Sequence, residues 1–181
     1  MANDLWRTPP QVFEYLNKKF GFVADMAASE DNNLLEYYFT EKENSLSFRW
    51  FDELFKRGLL IRTSDRDPFV FVNPPYSKIF PWIPKAAEAH EYGIGVVMLI
   101  NGDTSVGWFA EALKTVSELW FIIADEANGK RKPYRSGRLA FVNEHGEASK
   151  GNNKPQMVMV WDPKKTGEPT TKYIKKSEFY K

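Results

Sequence analysis

Phe69-Val70-Phe71-Val72, followed at once by Asn73-Pro74-Pro75-Tyr76, is the stretch on which the fold turns. The apolar run has no helical period and lies between Asp67-Pro68 and Pro74-Pro75, so it reads as a short buried strand. Two consecutive prolines fix φ and remove two amide donors, so pairing stops at Asn73 and the chain leaves in a rigid extended turn. That turn frees the Asn73 side chain and the Pro74 carbonyl to point beyond the sheet, with Tyr76 beside them. Two acceptors and a flat ring at the carboxyl end of a strand form a receptor for a planar group bearing an exocyclic amine. The plainer alternative is a proline turn that only caps the strand, with Asn73 bonded to its own backbone.

Such a receptor suits methylation of that amine. An aromatic NH2 is a poor nucleophile because its lone pair is delocalised into the ring. If Asn73 Oδ1 and the Pro74 carbonyl each accept one N–H, the nitrogen is positioned and polarised as it becomes tetrahedral. Its incipient positive charge then meets two preorganised dipoles. Tyr76 stacked on the ring fixes its plane, an interaction typically worth about 1–3 kcal/mol.

Outward from this turn, residues 9–20 set Val12, Phe13, Leu16 and Phe20 at helical spacing, with Thr8 as the expected N-cap and prolines in the first turn. Residues 21–25 read as a first strand, 32–39 as a short helix or second strand, 46–56 as helix and 59–62 as a possible short strand. Helices are expected over 79–91 and 106–116, a buried strand over 94–100, and further strands over 118–124, 138–142 and 157–161. This order predicts an α/β fold: a mostly parallel central sheet with an antiparallel C-terminal edge and helices on both faces. Ligands of such sheets gather at the carboxyl ends of strands. Asp25 and Asn73 both fall there, so one pocket is expected to hold the methyl donor and the amine together.

At 181 residues the chain is expected to be a single domain, with a core over about 6–162 and a basic tail over 163–181. Aromatics make up 15% of residues, which argues against disorder and supplies surfaces for stacking on bases. Cysteine is absent, so the chain offers no thiolate zinc site and no thiol nucleophile of the kind that cytosine C5 methylation needs. His90 and His145 stand alone, which suggests neither a metal site nor a triad, and no Gly-x-x-x-x-Gly-Lys loop is present to hold the phosphates of an ATP motor. No apolar run is long enough to span a membrane and Met1-Ala2-Asn3-Asp4 is no signal sequence, so a soluble cytoplasmic protein is expected.

The net charge of +1 hides an uneven distribution. Lys130, Arg131, Lys132, Arg135 and Arg138 are interrupted by Pro133, Tyr134 and Gly137, the pattern of a shaped loop that meets phosphates. Lys164, Lys165, Lys172, Lys175, Lys176 and Lys181 read instead as a solvated face.

Five stretches occur in order: Trp6-Arg7-Thr8-Pro9-Pro10, Asp25-Met26-Ala27-Ala28, Asn73 to Ser77, Thr104-Ser105-Val106-Gly107-Trp108-Phe109, and Gly137-Arg138-Leu139-Ala140-Phe141. The succession resembles the small phage and prophage DNA N6-adenine methyltransferase family, Dam-like enzymes with an Asn-Pro-Pro-Tyr motif, from Trp6 to about Trp161. The resemblance implies the Rossmann-like methyltransferase version of the fold, S-adenosylmethionine (AdoMet) as donor, and double-stranded DNA as partner, with no metal and no membrane. It implies a phage- or prophage-encoded protein acting in a bacterial host cell.

The same resemblance implies a catalytic set of Asn73, Pro74, Pro75 and Tyr76. Trp6, Thr8, Pro9, Asp25, Ala27, Ala28, Asn44 and Leu46, together with Asn73, are the implied cofactor-binding residues. Asp25 would receive the methionine ammonium, and the small Ala27 and Ala28 stand where other AdoMet enzymes carry a glycine-rich loop. Asn44 occupies a place where relatives have an acidic residue near the adenosine, while Glu30, Asp31 and Asn32 compete for the ribose hydroxyls. Ser77, Lys78, Lys130, Arg131, Lys132, Arg135 and Arg138 are the expected DNA contacts. The same tetrapeptide also serves RNA adenine and protein-glutamine methyltransferases and, in variant form, those acting on cytosine N4. A catalytically idle DNA-binding relic of the fold is the alternative from a different class.

Overall fold

The structure is a computed structural model that describes residues 7–60, 67–125, 136–143, 146–148, 152 and 154–181. Its strands are β1 (Phe22–Asp25), β2 (Phe69–Val72), β3 (Gly95–Asn101), β4 (Glu118–Ile123), β5 (Gln156–Trp161) and β6 (Thr170–Lys175). Its helices are α1 (Pro10–Phe20), α2 (Trp50–Lys56), α3 (Trp82–Glu91) and α4 (Gly107–Ala112), with 3-10 turns at Ser45–Ser47 and Lys176–Tyr180.

The strands form one sheet in the order β1-β2-β3-β5-β4-β6. Neighbours β1 and β2, β2 and β3, and β4 and β6 are parallel, whereas β5 runs antiparallel to both β3 and β4. The mostly parallel sheet is as expected. Its reversed strand does come from the C-terminal part, but it lies inside the sheet rather than at the edge. The chain leaves β4 and enters β5 at the same end of the sheet, so it must return antiparallel, and it fills the space between β3 and β4. Residues 37–39 run alongside the outer end of β1: the Asp25 amide donates to Tyr37 at 3.0 Å, and the Phe39 amide donates to Asp25 at 2.8 Å.

Alternation along the strands gives the sheet two apolar faces. Val70, Val72, Val96, Met98, Ile100, Met157, Met159 and Trp161 pack with α2, α3 and α4 on one face. Phe69, Phe71, Val97, Leu99, Val158 and Val160 pack on the other with Val12, Phe13 and Leu16 of α1. One helix cannot cover that second face, and Leu139, Phe141, Ile174 and Phe179 complete it. The residues past 162 are therefore not a tail outside the core, because they supply β6 and two buried apolar side chains.

Three local expectations are corrected. The N-cap of α1 is Pro9, not Thr8: a residue before proline is driven to extended backbone, so Pro9 (ψ 133°) stays outside the helix and Pro10 becomes its first residue. Residues 138–142 form no strand; Val142 makes only isolated bridges, to Arg7 and Ala148. Leu59 and Leu60 are not in a strand either, and residues 61–62 lie outside the described residues. Among the described residues, no helix is long and apolar enough to cross a membrane, and no cluster of carboxylates and histidines could hold a metal ion.

Candidate active site

Pairing of β2 stops at Val72, and Asn73 to Tyr76 then project from the carboxyl end of the parallel strands. Lys78 closes the turn by donating its amide to the Pro75 carbonyl at 3.0 Å, leaving Ser77 and Lys78 exposed. Asn73 Oδ1 and the Tyr76 hydroxyl are both shut off from solvent, and neither has a hydrogen-bond partner among the described residues. A buried polar atom left unpaired costs about 1–3 kcal/mol, and folded proteins keep few of them. Two of them within one four-residue turn mark a place completed by a group from outside. Burial pushes the Tyr76 phenol well above its ordinary range, so it stays neutral. Its ring meets that of Phe141 edge to face, with centroids 5.9 Å apart and planes at 86°.

Asp25 ends β1, the strand next to β2, in register with Phe71. The Met26 amide donates to the Phe71 carbonyl at 2.9 Å, which holds the two strand ends together. Asp25 is only 3% exposed, and its Oδ1 accepts one bond, from the Ala27 amide at 3.0 Å. Burial pushes its carboxyl up to about 7 despite that bond. A desolvated carboxyl with so little compensation is a receptor for a cation, which would favour its charged form.

The turn at Asn44 to Leu46 is fastened over this strand end. Ser45 Oγ donates to the Met26 carbonyl at 2.6 Å, and Trp50 Nε1 donates to the Ser45 carbonyl at 2.8 Å. Asn44 is exposed with φ of 48°, a left-handed conformation that Asn tolerates well, and Leu46 packs on the core below. Sequence reasoning missed Ser45, whose partner lies nineteen positions away and leaves no local signal. Ala28 is buried beside it, its amide bonded to the Phe39 carbonyl at 3.0 Å.

Thr8 is 3% exposed. It is held where it is because Arg7 exchanges both backbone bonds with Val142, at 2.9 and 3.1 Å. The structure thus gathers Asp25, Ala27, Ala28, the Asn44 to Leu46 turn and Asn73 to Tyr76 at one end of the sheet. The segment carrying Thr8 and Pro9 is tied to Val142, next to the Phe141 ring that touches Tyr76. Trp6 lies outside the described residues, as do Lys130, Arg131, Lys132 and Arg135. Arg138 is exposed, with its amide bonded to Ser136 Oγ at 3.1 Å. Glu30 is engaged at the surface by Lys42 at 2.8 Å.

Among the described residues, Asp25 Oδ1 accepts only from the Ala27 amide, and Asn73 Oδ1 has no donor.

The whole chain, residues 1–181, matches the family model described as DNA N-6-adenine-methyltransferase (Dam). It is 36% identical over 178 residues to the DNA N-6-adenine-methyltransferase of Escherichia phage T1, covering 96% of this chain and 69% of that protein. It is also 30% identical over 165 residues to the DNA N-6-adenine-methyltransferase of Haemophilus phage HP1, covering 89% of this chain and 80% of that protein.

Proposed function

The chain belongs to the DNA N-6-adenine-methyltransferase (Dam) family, and we propose that it methylates N6 of an adenine flipped out of double-stranded DNA, with AdoMet as donor. The observation that carries this reading is the buried, unpartnered Asn73 Oδ1 at the end of β2. An adenine amine is the group that satisfies it, with one N–H to Asn73 Oδ1 and the other to the Pro74 carbonyl.

When bound, AdoMet supplies a methyl carbon activated by a sulfonium. Asp25 would take its ammonium, and the Asn44 to Leu46 turn, fastened by Ser45, would hold its adenosine side. Asn73 and Pro74 hold the adenine nitrogen with its lone pair directed at that carbon. The donor would supply the methyl group to that nitrogen and keep the electrons of its S–C bond on sulfur. The nitrogen then sheds one proton to water, so no strong base beside it is required.

Flipping the base costs a few kcal/mol. Alignment of two bound reactants lowers the barrier by roughly 7–11 kcal/mol, more than flipping adds to it. Tyr76 is the platform for the extruded ring, and Ser77, Lys78 and Arg138, with Lys130, Arg131, Lys132 and Arg135, contact the phosphates around it.

Incubation with methyl-labelled AdoMet and unmethylated DNA, RNA or protein, followed by nucleoside mass analysis, tests the reading. The expected product is N6-methyladenine in DNA. Label confined to RNA, to protein or to cytosine would overturn it.

A further inference from the structure

Residues 136–143 cross the carboxyl end of the sheet next to the catalytic turn, yet no strand of the sheet pairs with them. Buried backbone without a ladder needs other partners, and here side chains from distant parts of the chain supply them. Gln156, the first residue of β5, is 1% exposed, and its Oε1 accepts the Leu139 amide at 3.0 Å. Asn152 Nδ2 donates to the Leu139 carbonyl at 2.9 Å, so both polar groups of Leu139 are bonded by side-chain amides. The two amides also pair with each other, at 3.1 and 3.2 Å, and Gln156 Nε2 donates to the Lys154 carbonyl at 2.7 Å. Two residues on, Phe141 lies edge to face with Tyr76.

We propose that Gln156, paired with Asn152, is a positioning residue for methyl transfer: it fixes Leu139 and thereby holds Phe141 against the ring of Tyr76. The inference rests on the reading of Tyr76 as the platform for the target base. Nothing in Gln156 reaches the reacting atoms. Its amide groups are fully engaged, and its influence runs through three residues of backbone into one ring contact.

The test uses the full chain labelled with 3-fluorotyrosine, with the Tyr76 resonance assigned through Tyr76→Phe. Gln156→Leu is expected to shift that resonance and to lower kcat for DNA methylation by about 10- to 100-fold, with AdoMet affinity by calorimetry unchanged. Gln156→Glu keeps the acceptor for the Leu139 amide but sets an oxygen against Asn152 Oδ1 and the Lys154 carbonyl, so it is expected to recover only part of kcat. Asn152→Ala is expected to give a weaker version of the Gln156→Leu result, and it carries the comparison should Gln156→Leu not fold.

In a double-mutant cycle, Gln156→Leu should add little to the loss already caused by Tyr76→Leu, because the two act in series. Multiplying losses, or an unmoved Tyr76 resonance with AdoMet affinity and turnover falling together, would overturn the inference. A Tyr76→Leu variant as active as the wild type would instead sink the reading of Tyr76 itself.

Discussion

Ser45 donates to the carbonyl of Met26 at 2.6 Å, which binds the turn carrying Asn44 to the residue that follows Asp25. The two segments proposed to hold the donor are thereby joined by one buried side-chain bond. The Trp50 indole, bonded to the Ser45 carbonyl, anchors the turn from below.

Ser45→Ala leaves the Met26 carbonyl buried and unpaired, a loss of about 1–3 kcal/mol in stability. The turn then closes less firmly over the donor. AdoMet affinity should fall by about 1 kcal/mol, roughly fivefold, with kcat at saturation little changed. Calorimetry beside steady-state kinetics checks both.

Asp25 binds its proton more tightly in the folded protein, at about 7, than in the unfolded chain, near 3.8. Without donor, the stability linked to it is full below about pH 4 and is lost as pH rises through about 7. Asp25→Asn should remove that slope, so the variant gains stability over the wild type at pH 8 and not at pH 4. Donor binding runs the other way: the ammonium favours the charged carboxylate, so AdoMet affinity of the wild type should rise between pH 5.5 and 8. In Asp25→Asn it should be weaker and flat. Denaturation and calorimetry across that range read the two slopes.

Glu118 sits at the opposite end of the sheet and serves as a control. Burial alone would raise its carboxyl, but hydrogen bonds from Lys165, Lys172 and Trp120 outweigh burial and hold it at about 2. Its contribution is present above the unfolded value of 4.5 and is lost as pH falls toward 2. The lysines are half exposed, so solvent screening limits the contribution to on the order of 1–2 kcal/mol. Glu118→Gln should lower thermal stability at pH 7 and flatten the acid limb, with methylation per folded molecule unchanged.

Gly137 lies so close to the end of β4 that a Cβ there would stand 2.5 Å from the Ile123 carbonyl carbon and 2.8 Å from the Ala124 nitrogen. The backbone of β4 cannot yield, so Gly137→Ala must displace residues 136–143, at about 1–3 kcal/mol of strain. Thermal melting should register that loss. Kinetics should show a lower kcat, because Phe141 moves with the segment.

The strand β2 and the turn that ends it were legible because their signals are local: an apolar run, two prolines and an aromatic within eight residues. β1, β3, α1, α3 and α4 were legible for the same reason, since periodicity alone distinguishes FVFV from the face of α3, whereas residues 32–39, read as a helix or second strand, form neither. β6 was not. Thr170, Thr171, Lys172 and Tyr173 face solvent, and only Ile174 is buried, so the strand reads as a charged tail. Residues 138–142 have β-prone composition, yet the backbone partners of Leu139 are Gln156 and Asn152, far along the chain. The cap of α1 was misplaced by one residue because proline geometry outranked the hydroxyl of Thr8.

Asn73→Ala tests the central claim most directly, with single-turnover methylation of unmethylated DNA measured beside AdoMet affinity on the same protein. Removing the amide oxygen should lower the rate of methyl transfer by about 10²-fold or more, as for loss of one preorganised dipole at a developing charge, while AdoMet binds as before. A variant that transfers methyl at the wild-type rate, or one that loses AdoMet binding in proportion to rate, would contradict the account.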